Sequence, residues 1–251
     1  MGNLACGFGA IIISGGARNL TAAQKGLAIS EAAWLIILAA FFDVLDGLVA
    51  RFSKASSRFG VEIDSLADVI SFGVAPAALI INFSLISRGN WAWILAFVYL
   101  MAASFRLARF NMTANIEEKT NFLGMPVPVA AMTIVSFILF AREVLGQMNV
   151  EKYYIIITLV TSALMVSVIE FETMPRFDFS KMGNRLKVLF LILTAVGMMI
   201  NSSLVLFPLV AVYVVFAISK FMVDIFFNMG LGSLQGRAKG FGRGKNREDK
   251  E

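Results

Sequence analysis

Apolar residues gather along this chain in blocks separated by short polar stretches: Met1 to Ser14, Ala32 to Ala50, Gly60 to Leu85, Trp91 to Ala108, Val127 to Leu145, Tyr153 to Ile169, Val188 to Ile200 and Leu204 to Phe221. Most approach the ~20 residues that cross hydrocarbon as a helix, which predicts an all-α integral membrane protein with about eight transmembrane helices. The first block has fourteen residues and lacks the charged start of a signal peptide, and the seventh is also short. Gly15 to Ser30 reads as a polar connection and Asn201 to Ser203 as the tight turn of the last hairpin. Trp91 and Trp93 suit interface anchors, and Gly124, Pro126 and Pro128 suit the start of the fifth helix. Glu170, Glu172 and Asp178 fall in a mixed-charge loop with no chemistry assigned. Residues 1–225 make a membrane domain, and residues 226–251 a basic, Gly-rich tail that cannot form a core. That tail suits a solvated segment or contact with anionic lipid. From Gly230 onward Phe241 is its only aromatic, which gives no support to a nucleic-acid partner.

Four aspartates interrupt the second and third blocks. Asp43, Asp46, Gly47, Ala50 and Arg51 recur at i, i+3, i+4, i+7 and i+8, so a helix lines them along one face; Gly60, Asp64 and Asp68 do the same at i, i+4 and i+8. One continuous helix would set the two faces about 100° apart. A break is therefore expected, and Phe52 to Phe59, with three serines and the cations Lys54 and Arg58, supplies a polar turn. Folded back there, Asp43 comes opposite Asp68 and Asp46 opposite Asp64, at two levels. Four carboxylates at such range need cations among them to stay ionised, and an all-oxygen donor set favours a hard divalent ion such as Mg²⁺ over zinc. Gly47 and Gly60 leave room for a ligand to approach the backbone, and Arg51 offers a charge to a phosphate. This is a phosphoryl-transfer site in outline. Structural ion pairs or a cation pathway, as in a transporter, are the other readings of intramembrane acids.

Composition agrees with a membrane protein: of 251 residues 58% are hydrophobic, and the mean hydropathy is +0.78. Histidine is absent, which excludes Ser-His-Asp and Cys-His catalysis and any histidine-held metal. Cys6 stands alone, so no intramolecular disulfide forms. Charge orients the chain. Of 22 Lys and Arg, seventeen fall on the side of the aspartate turn and five on the other, which places both termini and the mouth of the site in the cytoplasm. Arg106, Arg109 and Asn111 close the fourth helix on that side, with the two arginines on one face. They suit either this topology or a substrate contact.

The pattern DxxDGxxAR, eight residues, GxxxDxxxD resembles the signature of the CDP-alcohol phosphotransferase family at every fixed position, from Asp43 to Asp68. SFGVAP at Ser71 to Pro76, RLARFN at Arg106 to Asn111 and GMPVP at Gly124 to Pro128 resemble the phosphatidylserine synthase branch. The resemblance covers roughly residues 1 to 130. It implies a six-helix catalytic core, here extended by two C-terminal helices, and a homodimer in the prokaryotic cell membrane. It implies transfer of a phosphatidyl group from CDP-diacylglycerol to L-serine with release of CMP, assisted by two divalent ions, Mg²⁺ or Mn²⁺. On the matching positions, Asp43, Asp46 and Asp64 are metal ligands, and Asp68 is the general base and a further possible ligand. Gly47, Arg51, Ser57 and Gly60 belong with the CDP-lipid. GNLACGFGAI resembles the family's first helix, which in relatives begins further upstream near the nucleotide, leaving Asn3 as its polar candidate for CDP-lipid binding. Arg106, Arg109 and Asn111 are candidates for the acceptor, because a planar guanidinium matches the serine carboxylate. Glycerol phosphate or inositol phosphate as acceptor, and an archaeal ether lipid as donor, are the alternatives within the family.

Overall fold

The structure, a computed structural model, describes residues 1–17, 20–53, 58–84, 91–113, 121–145, 150–172 and 201–223. Helix α1 spans Gly2–Gly16 and α2 spans Ala22–Ser53. A continuous rod follows, made of α3 (Arg58–Asp68), a π-helical segment (Val69–Val74) and α4 (Ala75–Ser84). Next come α5 (Trp91–Thr113), strand β1 (Asn121–Leu123) and α6 (Val127–Phe140), which runs into a second π turn at Ala141–Leu145. Helix α7 (Val150–Val166), strand β2 (Glu170–Glu172) and α8 (Asn201–Val223) complete the described elements. Met1–Val212 forms one compact unit, and the described residues beyond it are helical.

Five of these helical stretches are long and apolar enough to cross a membrane: Ala23–Gly47, Glu62–Phe83, Trp91–Met112, Val127–Val144 and Asn201–Val223. Gly2–Gly16 and Lys152–Val166 are apolar but shorter. The protein is therefore a helical, multi-pass membrane protein, while the expected span Val188 to Ile200 and the tail lie outside the described residues.

Three local expectations are corrected. Much of the stretch read as a polar connection is helix, because Thr21 and Gln24 form half a capping box: Gln24 Oε1 accepts from the Thr21 N–H at 3.2 Å and from its hydroxyl at 2.8 Å. Farther along, Arg142 donates to the Gly26 carbonyl and to Ser30 Oγ. Asn201 to Ser203 are helical, within α8, with Asn201 Oδ1 accepting from the Leu204 N–H at 3.3 Å. Glu170 and Glu172 belong to a short antiparallel ladder, pairing with Leu123 and Asn121.

The π segment has a readable cause. In an α-helix the Phe72 carbonyl accepts from the N–H of residue 76, but that residue is Pro76, which has no N–H and whose ring presses on the same carbonyl. The turn widens, and Ala75 N–H reaches back five residues to the Ile70 carbonyl. The Phe72 oxygen is satisfied from another helix, by the Tyr99 hydroxyl of α5 at 2.8 Å, with both residues fully buried. Gly73 lets α5 close in: a Cβ there would lie 3.2 Å from Leu100 Cδ1. On the other flank α1 presses against Ser71 through Gly7, where a Cβ would lie 2.6 Å from Ser71 Cα.

Candidate active site

The first aspartate set lies on α2, described to Ser53, and the second on α3, described from Arg58; Phe52, Ser53, Arg58 and Phe59 of the expected polar turn are helical, and residues 54–57 lie outside the described residues. The four aspartates lie near one another: Asp43 is within electrostatic range of Asp46, Asp64 and Asp68, and Asp64 is within range of Asp46. Asp43, Asp46 and Asp68 are half-buried and Asp64 is exposed, so the cluster runs from a protected base to an open rim. The N-terminal ammonium of Met1 lies 2.6 Å from Asp46 Oδ2.

Around Asp68 further polar neighbours come from α1 and α5. Asn3 Nδ2 of α1 donates to Asp68 Oδ1 at 3.0 Å. Arg106 of α5 is buried, 6% exposed, within electrostatic range of Asp68 and with its guanidinium 5.3 Å from the Phe110 ring centre. A carboxylate within range of a guanidinium of opposite charge can stay inside an apolar bundle at lower cost than either alone.

The other candidates are placed differently. Arg109 fans onto the end of α7, donating from Nη1 to the Val166 carbonyl at 3.3 Å and from Nη2 to those of Ser167 and Met165 at 3.1 and 3.5 Å. Gly124, at φ +80°, makes room for it: a Cβ there would lie 2.5 Å from Arg109 Nη2. Asn111 Nδ2 donates to Ser65 Oγ at 3.0 Å and ties α5 to α3 beside Asp64. Gly47 is exposed, and a Cβ on it would meet nothing within 4 Å, so the approach to α2 is open. Gly60 is exposed on α3. Arg51 lies in the last turn of α2, with its side chain outside the description, and Ser57 is outside the described residues.

Among the described residues no group of three or more acidic side chains or cysteines is gathered closely enough to hold a metal ion. The donor chemistry nonetheless fits one: four carboxylates from two facing helices, with no nitrogen or sulfur among them, suit a hard divalent cation. Sequence reasoning missed Tyr99, Ser71 and Pro76 as parts of the scaffold behind Asp68. Pro76 inside an apolar block was the available signal, since proline in a helix strands a carbonyl four residues earlier.

Comparison with known proteins bears directly on this site. The chain is 32% identical over 202 residues to a CDP-diacylglycerol–serine O-phosphatidyltransferase of Helicobacter pylori, covering 78% of this chain and 83% of that protein. A Methanocaldococcus jannaschii protein of the same name is 37% identical over 147 residues, 58% of this chain and 65% of its own length. An archaetidylserine synthase of Methanothermobacter thermautotrophicus is 39% identical over 157 residues, 60% of each chain. A family model described as CDP-alcohol phosphatidyltransferase matches residues 9–167, a span that holds all four aspartates and both arginines. The chain is thus a membrane enzyme that belongs to the CDP-alcohol phosphatidyltransferase family.

Proposed function

We propose that this enzyme transfers a phosphatidyl group from CDP-diacylglycerol to L-serine, giving phosphatidylserine and CMP. The observation that carries this is the gathering of Asp43, Asp46, Asp64 and Asp68 within electrostatic range of one another, with the buried Arg106 in range of Asp68. The names of the similar proteins share serine as acceptor and differ in the lipid, which favours serine more strongly than it favours an ester over an ether donor.

Asp43, Asp46 and Asp64, with Asp68 as a further donor, would hold two divalent ions, Mg²⁺ or Mn²⁺. Bound there, the ions would supply charge neutralisation for the diphosphate of the donor. Asp68 is the general base. The serine hydroxyl oxygen bonds to the lipid-linked phosphorus, and its proton passes to Asp68. The bridging P–O bond breaks, and CMP leaves with the electron pair. Open space at Gly47, together with Gly60, Arg51 and Ser57, serves the CDP portion. Arg106 faces the acceptor carboxylate, and Asn111 and Arg109 hold α5 to α3 and α7. The acyl chains remain in membrane lipid, with the site facing the cytoplasm of a prokaryotic cell, in a homodimer whose six-helix core is extended by two helices.

The test is CMP release by the purified enzyme from CDP-diacylglycerol with Mg²⁺ or Mn²⁺ and a panel of alcohols. Serine should be the preferred acceptor. Faster turnover with glycerol 3-phosphate or inositol phosphate would overturn that assignment, and cation flux in liposomes without CMP release would overturn the transferase reading.

A further inference from the structure

We infer that Asn3 is a positioning residue for Asp68: its amide donates to Oδ1 and fixes the rotation of the carboxyl that receives the proton of the acceptor hydroxyl. This rests on the reading of Asp68 as base. It also moves Asn3 from the CDP-lipid side, where the sequence places it, to the acceptor side.

Three observations carry the inference. First, Asn3 is 2% exposed and its Nδ2 donates to Asp68 Oδ1 at 3.0 Å. Second, its other amide atom, Oδ1, is buried without a hydrogen-bond partner among the described residues. A buried acceptor left unsatisfied is costly, and an amide kept only for packing would be turned to satisfy both ends or replaced by an apolar side chain. Here one end is left wanting so that the other can face the carboxyl. Third, the amide is braced from behind. Ser71 Oγ donates to the Asn3 main-chain carbonyl at 3.0 Å in a fully buried contact. Ser71 lies three residues after Asp68 on the same rod. Gly7, one turn after Asn3 on α1, brings the two backbones together at that point. The contacts Asn3 to Asp68, Ser71 to Asn3 and Gly7 to Ser71 thus lock α1 to the rod over a single turn, so the orientation of the Asp68 carboxyl is set by rigid helices.

The experiment measures kcat and both KM values by CMP release, using the full-length enzyme in mixed micelles, for Asn3→Leu, Asn3→Ala, Asp68→Asn and the double variant Asn3→Leu/Asp68→Asn. Asn3→Leu keeps the shape and removes the amide, so melting in the same micelles should be unchanged or raised. The expected result is a fall in kcat of about 10-fold to 100-fold, the range for losing a partner that orients a catalytic group. KM for CDP-diacylglycerol should stay within about threefold, and the double variant should lose no more than Asp68→Asn alone. Unchanged kcat with a raised KM for CDP-diacylglycerol would return Asn3 to the nucleotide and overturn the inference, as would full activity in Asn3→Leu. If Asp68→Asn itself turns over normally, the underlying assignment of the base fails, an outcome distinct from either. Should Asn3→Ala not fold, Asn3→Leu carries the comparison.

Discussion

Replacing Tyr99 with phenylalanine removes one hydroxyl from a fully buried ring and leaves the Phe72 carbonyl without its 2.8 Å donor. An unsatisfied buried carbonyl costs about 1–3 kcal/mol, whereas interhelical hydrogen bonds in membranes average about 0.6 kcal/mol, because the separated helices find other partners. Phe72 has no such alternative, since Pro76 denies it the main-chain donor that any other residue would provide. We therefore expect Tyr99→Phe to cost about 1.5 kcal/mol, at the upper end of the membrane range and roughly tenfold in the unfolding constant. The decisive comparison is the double-mutant cycle with Pro76→Ala, which restores an N–H at residue 76. In that background the loss from Tyr99→Phe should fall below about 0.5 kcal/mol. Equilibrium unfolding of the four proteins in mixed detergent micelles gives the numbers. Equal losses in both backgrounds, or none in either, would refute the account of the π segment.

Other outcomes follow from the same geometry. Gly7→Ala should destabilise the fold by at least about 2 kcal/mol, because its Cβ would meet the Ser71 backbone; Gly47→Ala should leave unfolding unchanged or raise stability by up to about 1 kcal/mol, yet reduce CMP release by obstructing the donor. Arg106→Lys should raise the KM for serine by about 10-fold to 100-fold, from the loss of a charge-assisted bond worth about 1.5–3 kcal/mol, with little change for CDP-diacylglycerol. Arg109→Lys should instead lower the melting temperature and move both constants together, and identical behaviour of the two variants would remove the distinction drawn between them. Excess chelator should abolish CMP release and Mg²⁺ or Mn²⁺ should restore it, whereas full activity under chelation would exclude divalent ions from the reaction.

What the sequence made legible was the part governed by short-range periodicity. Asp43 and Asp46, and Asp64 and Asp68, share helix faces by spacing alone, so the gathering of the four near one another could be anticipated. Arg109 was not legible in the same way, because its partners are carbonyls more than fifty residues away and carbonyls carry no residue identity. The start of α2 was misjudged because Gln24 and Lys25 look like a loop until the Gln24 side chain is seen to reach back to the Thr21 N–H. The β1–β2 ladder joins two segments of three residues each, too short for alternation to show. Arg106 and Arg109 share one face of a helical wheel, and the packing of α7 and Gly124 against Arg109 separates a carboxylate neighbour from a clasp.

The π segment also works as a phase adjuster between the two halves of its rod. Residues that accumulate in a widened turn advance the chain without the matching rotation, and at 3.6 residues per turn a single residue is equivalent to about 100°. Upstream, Asp64 and Asp68 must look toward α2; downstream, Ala75, Leu79 and Ile80 are fully buried in the bundle. A uniform α-helix through the same stretch would hold one of these bearings and swing the other by about a quarter of a circle. Pro76 and Tyr99 therefore act together as a timing element, keeping the chemical half and the anchoring half of one helix each turned toward its own partner.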